Sequence, residues 1–219
     1  MGPQGEQHSM NVVEKLNVIS AIESGQKLIK EMEIIIGISA LRQQDAEKLA
    51  ERISQSKVSA IMLGHPPYII PSQQEAINYP DKIISLASKP VILYNNPKRT
   101  GFDLSYESIV YLSMNESVIG IKDPGDKAKL EKIKKNILNK EFLFYAGGEL
   151  ELEDKVQSGY NRLSSIAGNI YPQEVKEWFE CLLNKSVINE NEASMIVNIK
   201  RQIFEGNAIL NTKNILSEV

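Results

Sequence analysis

The chain has 219 residues, 42% hydrophobic and 24% charged, with 25 Lys and Arg against 28 Asp and Glu for a net charge of −3. This excludes disordered, collagen-like and coiled-coil classes and leaves one large domain or two small ones with enough apolar content for a core. A pI near 5.6 and near-balanced charge argue against nucleic acid as a partner, since neutralising phosphates takes concentrated Lys and Arg. Apolar stretches fall far short of the roughly 20 residues that span a bilayer, and the polar start Met1–Ser9 has no signal-peptide pattern, so no membrane partner is expected. Cys181 is the one cysteine; it permits no internal disulfide and suits a reducing cytoplasm.

Val12, Leu16 and Ile19 share a helical face, and a first strand is expected over Glu33–Ser39. Ala46, Leu49, Ala50 and Ile53 fall at i, i+3, i+4 and i+7, which predicts a helix before a second strand at Ser59–Gly64. Ser72-Gln-Gln-Glu75 reads as a capping box opening the next helix, with Pro80 expected to end or kink it. Strands follow at Pro90–Tyr94 and Ser117–Lys122, a helix carries Leu130, Ile133 and Ile137, and two further strands are read at Glu141–Ala146 and Arg162–Ala167. From there the chain turns helical, over Glu174–Leu183, Glu190–Phe204 and a last segment near Leu210–Val219. The six runs are nearly continuous in hydrophobicity, as strands buried on both faces of a parallel sheet are. The α/β alternation leaves an open doubly wound sheet or a (β/α) barrel, with a barrel domain over 1–172 and a helical segment over 173–219. A nucleotide-binding open sheet lacks its Gly-rich fingerprint, because Gly37 stands alone after the first strand.

In either architecture ligands bind at the carboxyl ends of the strands. Lys122 ends an otherwise apolar strand; a lysine held in a low-dielectric mouth is disfavoured as the ammonium, and its neutral amine can attack a carbonyl. The plainer alternative is a lysine snorkelling into water. Tyr94 ends the preceding strand, 28 positions earlier, one βα repeat, so its phenol is expected beside the amine as a proton relay unless it only packs. Arg99 is a candidate carboxylate clamp through its planar fork. With two histidines and one cysteine no metal-ligand spacing can be drawn, and His65 reads as lining the mouth or as merely packed. Glu149, Glu151, Glu153 and Asp154 read as a solvated helix start.

Four ordered motifs then carry a resemblance: Tyr94-Asn-Asn-Pro-Lys-Arg-Thr-Gly101, Gly120-Ile-Lys-Asp123, Ala146-Gly-Gly148 and Ser165-Ile-Ala-Gly-Asn-Ile-Tyr-Pro172. The chain resembles the dihydrodipicolinate synthase/N-acetylneuraminate lyase family, whose members are (β/α)8 barrels with a helical extension and act on pyruvate or other 2-oxo acids as class I aldolases. The resemblance implies a Schiff base on Lys122 with no separate cofactor, proton relay by Tyr94, a substrate carboxylate on Arg99, and pocket-lining positions at Gly147 and Ser164. It also places Gly2-Pro-Gln-Gly-Glu6 in the turn that holds the pyruvate carboxylate, where Pro3 lacks hydroxyl and N–H and Gln4 offers an amide. Tyr68-Ile-Ile-Pro71 carries one aromatic where the synthases carry two, the second falling at Ile69. These departures point to a 2-oxo acid reaction other than dihydrodipicolinate synthesis.

The expected fold is thus a TIM (β/α)8-type barrel, incomplete, with six strands of eight and about forty residues holding two strands and a helix missing at the front. Exposed strand edges favour association, so a homo-oligomer, dimer or tetramer, is expected. The alternative is a non-catalytic remnant of the family acting as a binding or assembly subunit.

Overall fold

The structure, a computed structural model, describes residues 7–123 and 126–217. The chain divides into two compact units, the first running to Lys122 and including Ala128–Phe142, the second taking Asp123–Lys127 and Leu143–Val219.

The first unit opens on α1 (Val12–Ser24) and the short α2 (Gln26–Glu31). Asn11 and Glu14 form a capping box at the start of α1, the Asn11 side chain accepting from the Glu14 N–H and Glu14 accepting from the Asn11 N–H at 2.7 Å. Four strands follow, β1 (Ile35–Ile38), β2 (Ala60–Gly64), β3 (Val91–Tyr94) and β4 (Val118–Asp123), each parallel to the one before. Between them lie α3 (Gln43–Ser54), α4 (Gln73–Ala87), α5 (Pro97–Thr100) and α6 (Tyr106–Leu112), with α7 (Lys127–Asn136) after β4. Ile36, Ile38, Ile61, Leu63, Val91, Ile92, Leu93 and Ile121 are buried, and the apolar face of α3 read from its periodicity is buried at all four positions. The capping box at Ser72 and Glu75 forms as expected.

Pro80 neither ends nor interrupts α4, which runs as one helix to Ala87. A proline there leaves the Ala76 carbonyl without its usual N–H donor four residues on. The His65 Nε2–H, 2.9 Å away at the end of β2, donates to that carbonyl instead. Because a carbonyl only accepts, this bond fixes the proton on Nε2.

The second unit holds β5 (Leu143–Ala146) and β6 (Arg162–Leu163), parallel, with α8 (Leu152–Ser158), α9 (Pro172–Leu183), α10 (Glu190–Phe204) and α11 (Ala208–Ser217). Ala167, Val175, Ile199 and Ile203 form its core, edged by Ile166, Ile170 and Tyr171. The sixth strand is shorter than the apolar run suggests: it stops at Leu163, and the chain passes into a 3-10 turn at Ala167–Asn169. Ser165, Ile166 and Ala167 leave strand geometry because they wrap a carboxylate. Glu149, expected in a solvated helix start, is fully buried and accepts from the Ser165 hydroxyl, from the Ile166 N–H at 3.0 Å and from the Ala167 N–H at 3.1 Å. Three donors on one carboxylate satisfy the charge that burial would otherwise penalise.

Candidate active site

Strand register alone brings the two leading residues together. Tyr94 and Lys122 are direct partners across the β3–β4 pair, and the Lys122 amine lies 5.2 Å from the centroid of the Tyr94 ring. Both side chains are half-buried. The Asn96 side-chain amide donates to the Tyr94 hydroxyl oxygen at 2.8 Å, occupying one lone pair and leaving the phenolic hydrogen unspent on that contact.

The loop after β3 is held by side-chain amides. Asn95 is buried; its N–H donates to the Lys122 carbonyl, its side-chain nitrogen to Asp103 at 2.8 Å, and its side-chain oxygen accepts from the Leu104 N–H at 3.0 Å. Lys129 completes the arrangement with an ion pair to Asp103, and the Asp103 carbonyl accepts from Gln73 at 2.9 Å. Opposing pulls act on the Asp103 carboxyl: burial raises it, while the bonds from Lys129 and Asn95 lower it and prevail.

Two neighbours shape this region, Gly64, which the sequence reading missed, and His65, which it singled out. Gly64 is paired with Tyr94 in the β2–β3 register, and a Cβ on it would come within 3.1 Å of the Tyr94 Cδ1. The absence of a side chain lets the phenol ring lie against β2. His65, buried at 8% exposure, stacks at a tilt against Tyr79 and Phe102, with ring centroids 5.9 and 5.3 Å away. Burial holds its imidazolium below the ordinary range, against the weaker opposing pull of the Ala76 carbonyl. Of the two sequence readings, packing holds for His65, and it also borders the cavity described next.

A cavity of about 780 Å³ opens in the first unit, lined by Tyr94, Arg99, His65, His8 and Lys15 among others. Arg99 sits on α5 with its side chain exposed. Lys122 is not in the lining; it meets the cavity wall through the Tyr94 ring. In the second unit Gly147 follows β5, and the Ser164 N–H donates to the Ala146 carbonyl at 2.9 Å just past β6. Gln4 and the rest of the Gly2–Glu6 turn lie outside the described residues. Among the described residues no three His, Cys, Asp or Glu side chains cluster as a metal site requires.

Parallel strands alternating with helices follow the pattern of a (β/α) barrel, and at adjacent strand ends a lysine amine faces a tyrosine ring. The chain belongs to the dihydrodipicolinate synthetase family, whose model matches residues 1–218. A 4-hydroxy-tetrahydrodipicolinate synthase of Wigglesworthia glossinidia brevipalpis is 31% identical over 175 residues, covering 80% of this chain and 58% of that relative. The 4-hydroxy-tetrahydrodipicolinate synthase of Methylacidiphilum fumariolicum SolV superposes with a TM-score of 0.87 at 21% identity, over 100% of this chain and 73% of its own. The dihydrodipicolinate synthase of Acinetobacter baumannii, solved complexed with pyruvate, gives 0.81 at 26% identity, over 99% and 74%. The chain therefore spans less than two thirds of the length of the first relative and about three quarters of these structures. Its fold is an incomplete barrel of that type, with six strands among the described residues where eight close the ring.

Proposed function

We propose that the protein is a Schiff-base aldolase or lyase acting on pyruvate or another 2-oxo acid, with the covalent imine at Lys122 in place of any cofactor. The observation that carries this reading is the pairing of Tyr94 with Lys122, amine against phenol ring at 5.2 Å. The deprotonated amine adds to the 2-oxo carbon, and loss of water leaves an iminium. Loss of a proton from the adjacent carbon gives an enamine that adds to an aldehyde; in reverse, the iminium accepts the electron pair of the breaking carbon–carbon bond. Hydrolysis then frees product and amine. Tyr94 relays the protons, its oxygen steadied by Asn96. Arg99 takes a substrate carboxylate in its fork. For Gln4, Gly147 and Ser164, the family resemblance alone supports substrate contact.

The synthases among its relatives support catalysis, and the pyruvate in the Acinetobacter complex supports a 2-oxo acid. The Pro3-Gln4 pair in the sequence and the single aromatic at Tyr68 support a reaction other than dihydrodipicolinate synthesis. Cytoplasmic location is supported by the lone cysteine. Self-association into a dimer or tetramer is supported by the apolar tip Tyr68-Ile69-Ile70, exposed at 87%, 52% and 72%, and sedimentation of the purified chain tests it. Borohydride reduction in the presence of pyruvate, then of longer 2-oxo acids, tests the chemistry. A reduced adduct on the Lys122 peptide is expected; no adduct with any of these acids overturns the reading.

A further inference from the structure

Asn96 stands at the position that opens α5, yet its side chain makes no capping bond there. Asparagine is among the strongest capping residues, since its side-chain oxygen takes a backbone N–H that the helix leaves unbonded. Asn11 and Asn189 do this at the starts of α1 and α10, accepting from the Glu14 and Glu192 N–H groups at 3.0 Å each. Asn96 gives up that bond and turns its amide to the Tyr94 hydroxyl at 2.8 Å. Its main chain is fixed meanwhile: the Asn96 carbonyl accepts from the Arg99 N–H at 3.0 Å and from the Thr100 N–H and hydroxyl at 3.0 and 3.1 Å. The body of the Tyr94 ring lies against Gly64, which has no Cβ to push it away, with the Lys122 amine over its face. Ring and hydroxyl are thus placed by separate contacts, and the contact at the hydroxyl is a donor, because an amide N–H cannot accept.

We propose that Asn96 is a positioning residue for the Tyr94 relay: by donating to the phenol oxygen, it directs the Tyr94 hydrogen and the remaining lone pair to the substrate carried on Lys122. The proposal rests on the Schiff-base reading and deepens it, since in that chemistry one oxygen gives a proton and then takes one. The phenol gives its proton to the hydroxyl of the carbinolamine on Lys122, which leaves as water with the carbon–oxygen electron pair while the nitrogen lone pair forms the iminium. The phenolate then takes a proton from the carbon beside the iminium; that C–H pair becomes the enamine double bond, the iminium pair returns to nitrogen, and the phenol is restored. An N–H donor stays bonded to the oxygen through both steps, and the bond strengthens while the oxygen is charged. A carboxylate at the same place would take the phenolic hydrogen for itself.

The contact and its effect are read separately. With the full chain labelled at tyrosine Cζ, the NMR resonance lost in Tyr94→Phe identifies Tyr94, and Asn96→Leu is expected to shift it without any substrate; an unmoved resonance overturns the proposal. In heavy water, with pyruvate or the longer 2-oxo acid that traps best, Asn96→Leu is expected to slow exchange of the hydrogens beside the 2-oxo carbon about tenfold. The borohydride adduct on Lys122 is expected to stay within about twofold of its original yield, because trapping reads the imine and not the later proton transfer. Asn96→Asp, close in shape but able only to accept once ionised, is expected to slow exchange at least as much. In Tyr94→Phe, adding Asn96→Leu is expected to change the residual exchange by less than about twofold, as for a residue acting through the phenol, whereas a merely structural role would add its loss in either background. Full-rate exchange in either Asn96 variant, or an equal added loss in the Tyr94→Phe background, overturns the proposal while a trapped adduct leaves the Schiff-base reading standing. A chain that neither traps nor exchanges any 2-oxo acid overturns both, and Asn96→Asp decides if Asn96→Leu does not fold.

Discussion

Lys15 in the first unit and Glu149 in the second are both charged side chains removed from water, at 6% and 0% exposure, and their surroundings are opposite. Glu149 is saturated: one hydroxyl and two backbone N–H groups converge on it, and in doing so they set the turn that follows β6. Lys15 borders a cavity, and the Asp45 carboxylate in the same wall acts on it through charge. Burial alone therefore does not say how a charge is compensated. What separates them is that hydrogen bonds converge on Glu149, whereas a carboxylate acts on Lys15 through charge beside open volume.

The largest effect belongs to the functional side. Lys122→Arg, which keeps the charge and removes the nucleophilic amine, is expected to abolish borohydride trapping and lower turnover by more than about 10³-fold with the circular-dichroism spectrum unchanged. Trapping elsewhere on the chain at the original rate would move the nucleophile away from β4. Glu149→Ala is the matching break on the structural side. It strands three donors and is expected to cost about 3 kcal/mol in urea unfolding while the folded fraction still traps pyruvate at Lys122. Lost trapping with unaltered stability would make Glu149 part of the reacting site instead of a structural charge.

Tyr94→Phe is expected to lower turnover about 10²-fold while preserving the trapped adduct, since the role proposed for the phenol is to move protons and not to attack. A full-rate Phe variant would reduce Tyr94 to packing. Gly64→Ala presses a methyl to 3.1 Å from the Tyr94 ring; a few-fold loss of turnover is expected with a stability cost of about 1 kcal/mol. Smallest is a pH effect on stability. The His65 pKa is lower folded than unfolded, so the unfolded chain takes up the proton first as pH falls below about 6.5, and stability declines from there. His65→Gln, which can still donate to the Ala76 carbonyl, is expected to flatten that decline in melts between about pH 7.5 and 5; an unchanged slope would assign it to other groups.

Much of the architecture was legible because it is local. Strand runs around Ile36, Ile61, Ile92 and Ile121 lie within a residue or two of the observed strands, and the Ser72–Glu75 box caps α4 as read. The Asn11–Glu14 box was equally legible from its spacing and was missed. The pairing of Tyr94 with Lys122 was legible because register follows once two strands are parallel and one repeat apart. Pro80 does not end α4, and the surroundings of Glu149 and the end of the last strand are not legible locally because their partners lie 16 to 18 residues apart.

Alternating apolar runs and helical faces, all properties of windows of a dozen residues, determined the α/β class, the strands and the lysine and tyrosine at their ends. Only tertiary structure decided that the carbonyl freed by Pro80 meets His65, that Glu149 is enclosed by Ser165–Ala167, and that Lys15 comes to line one cavity with Arg99. Satisfaction of a buried polar group is a property of three-dimensional neighbours, and no local pattern records whether a charge has found its counterpart inside the fold or still lacks one.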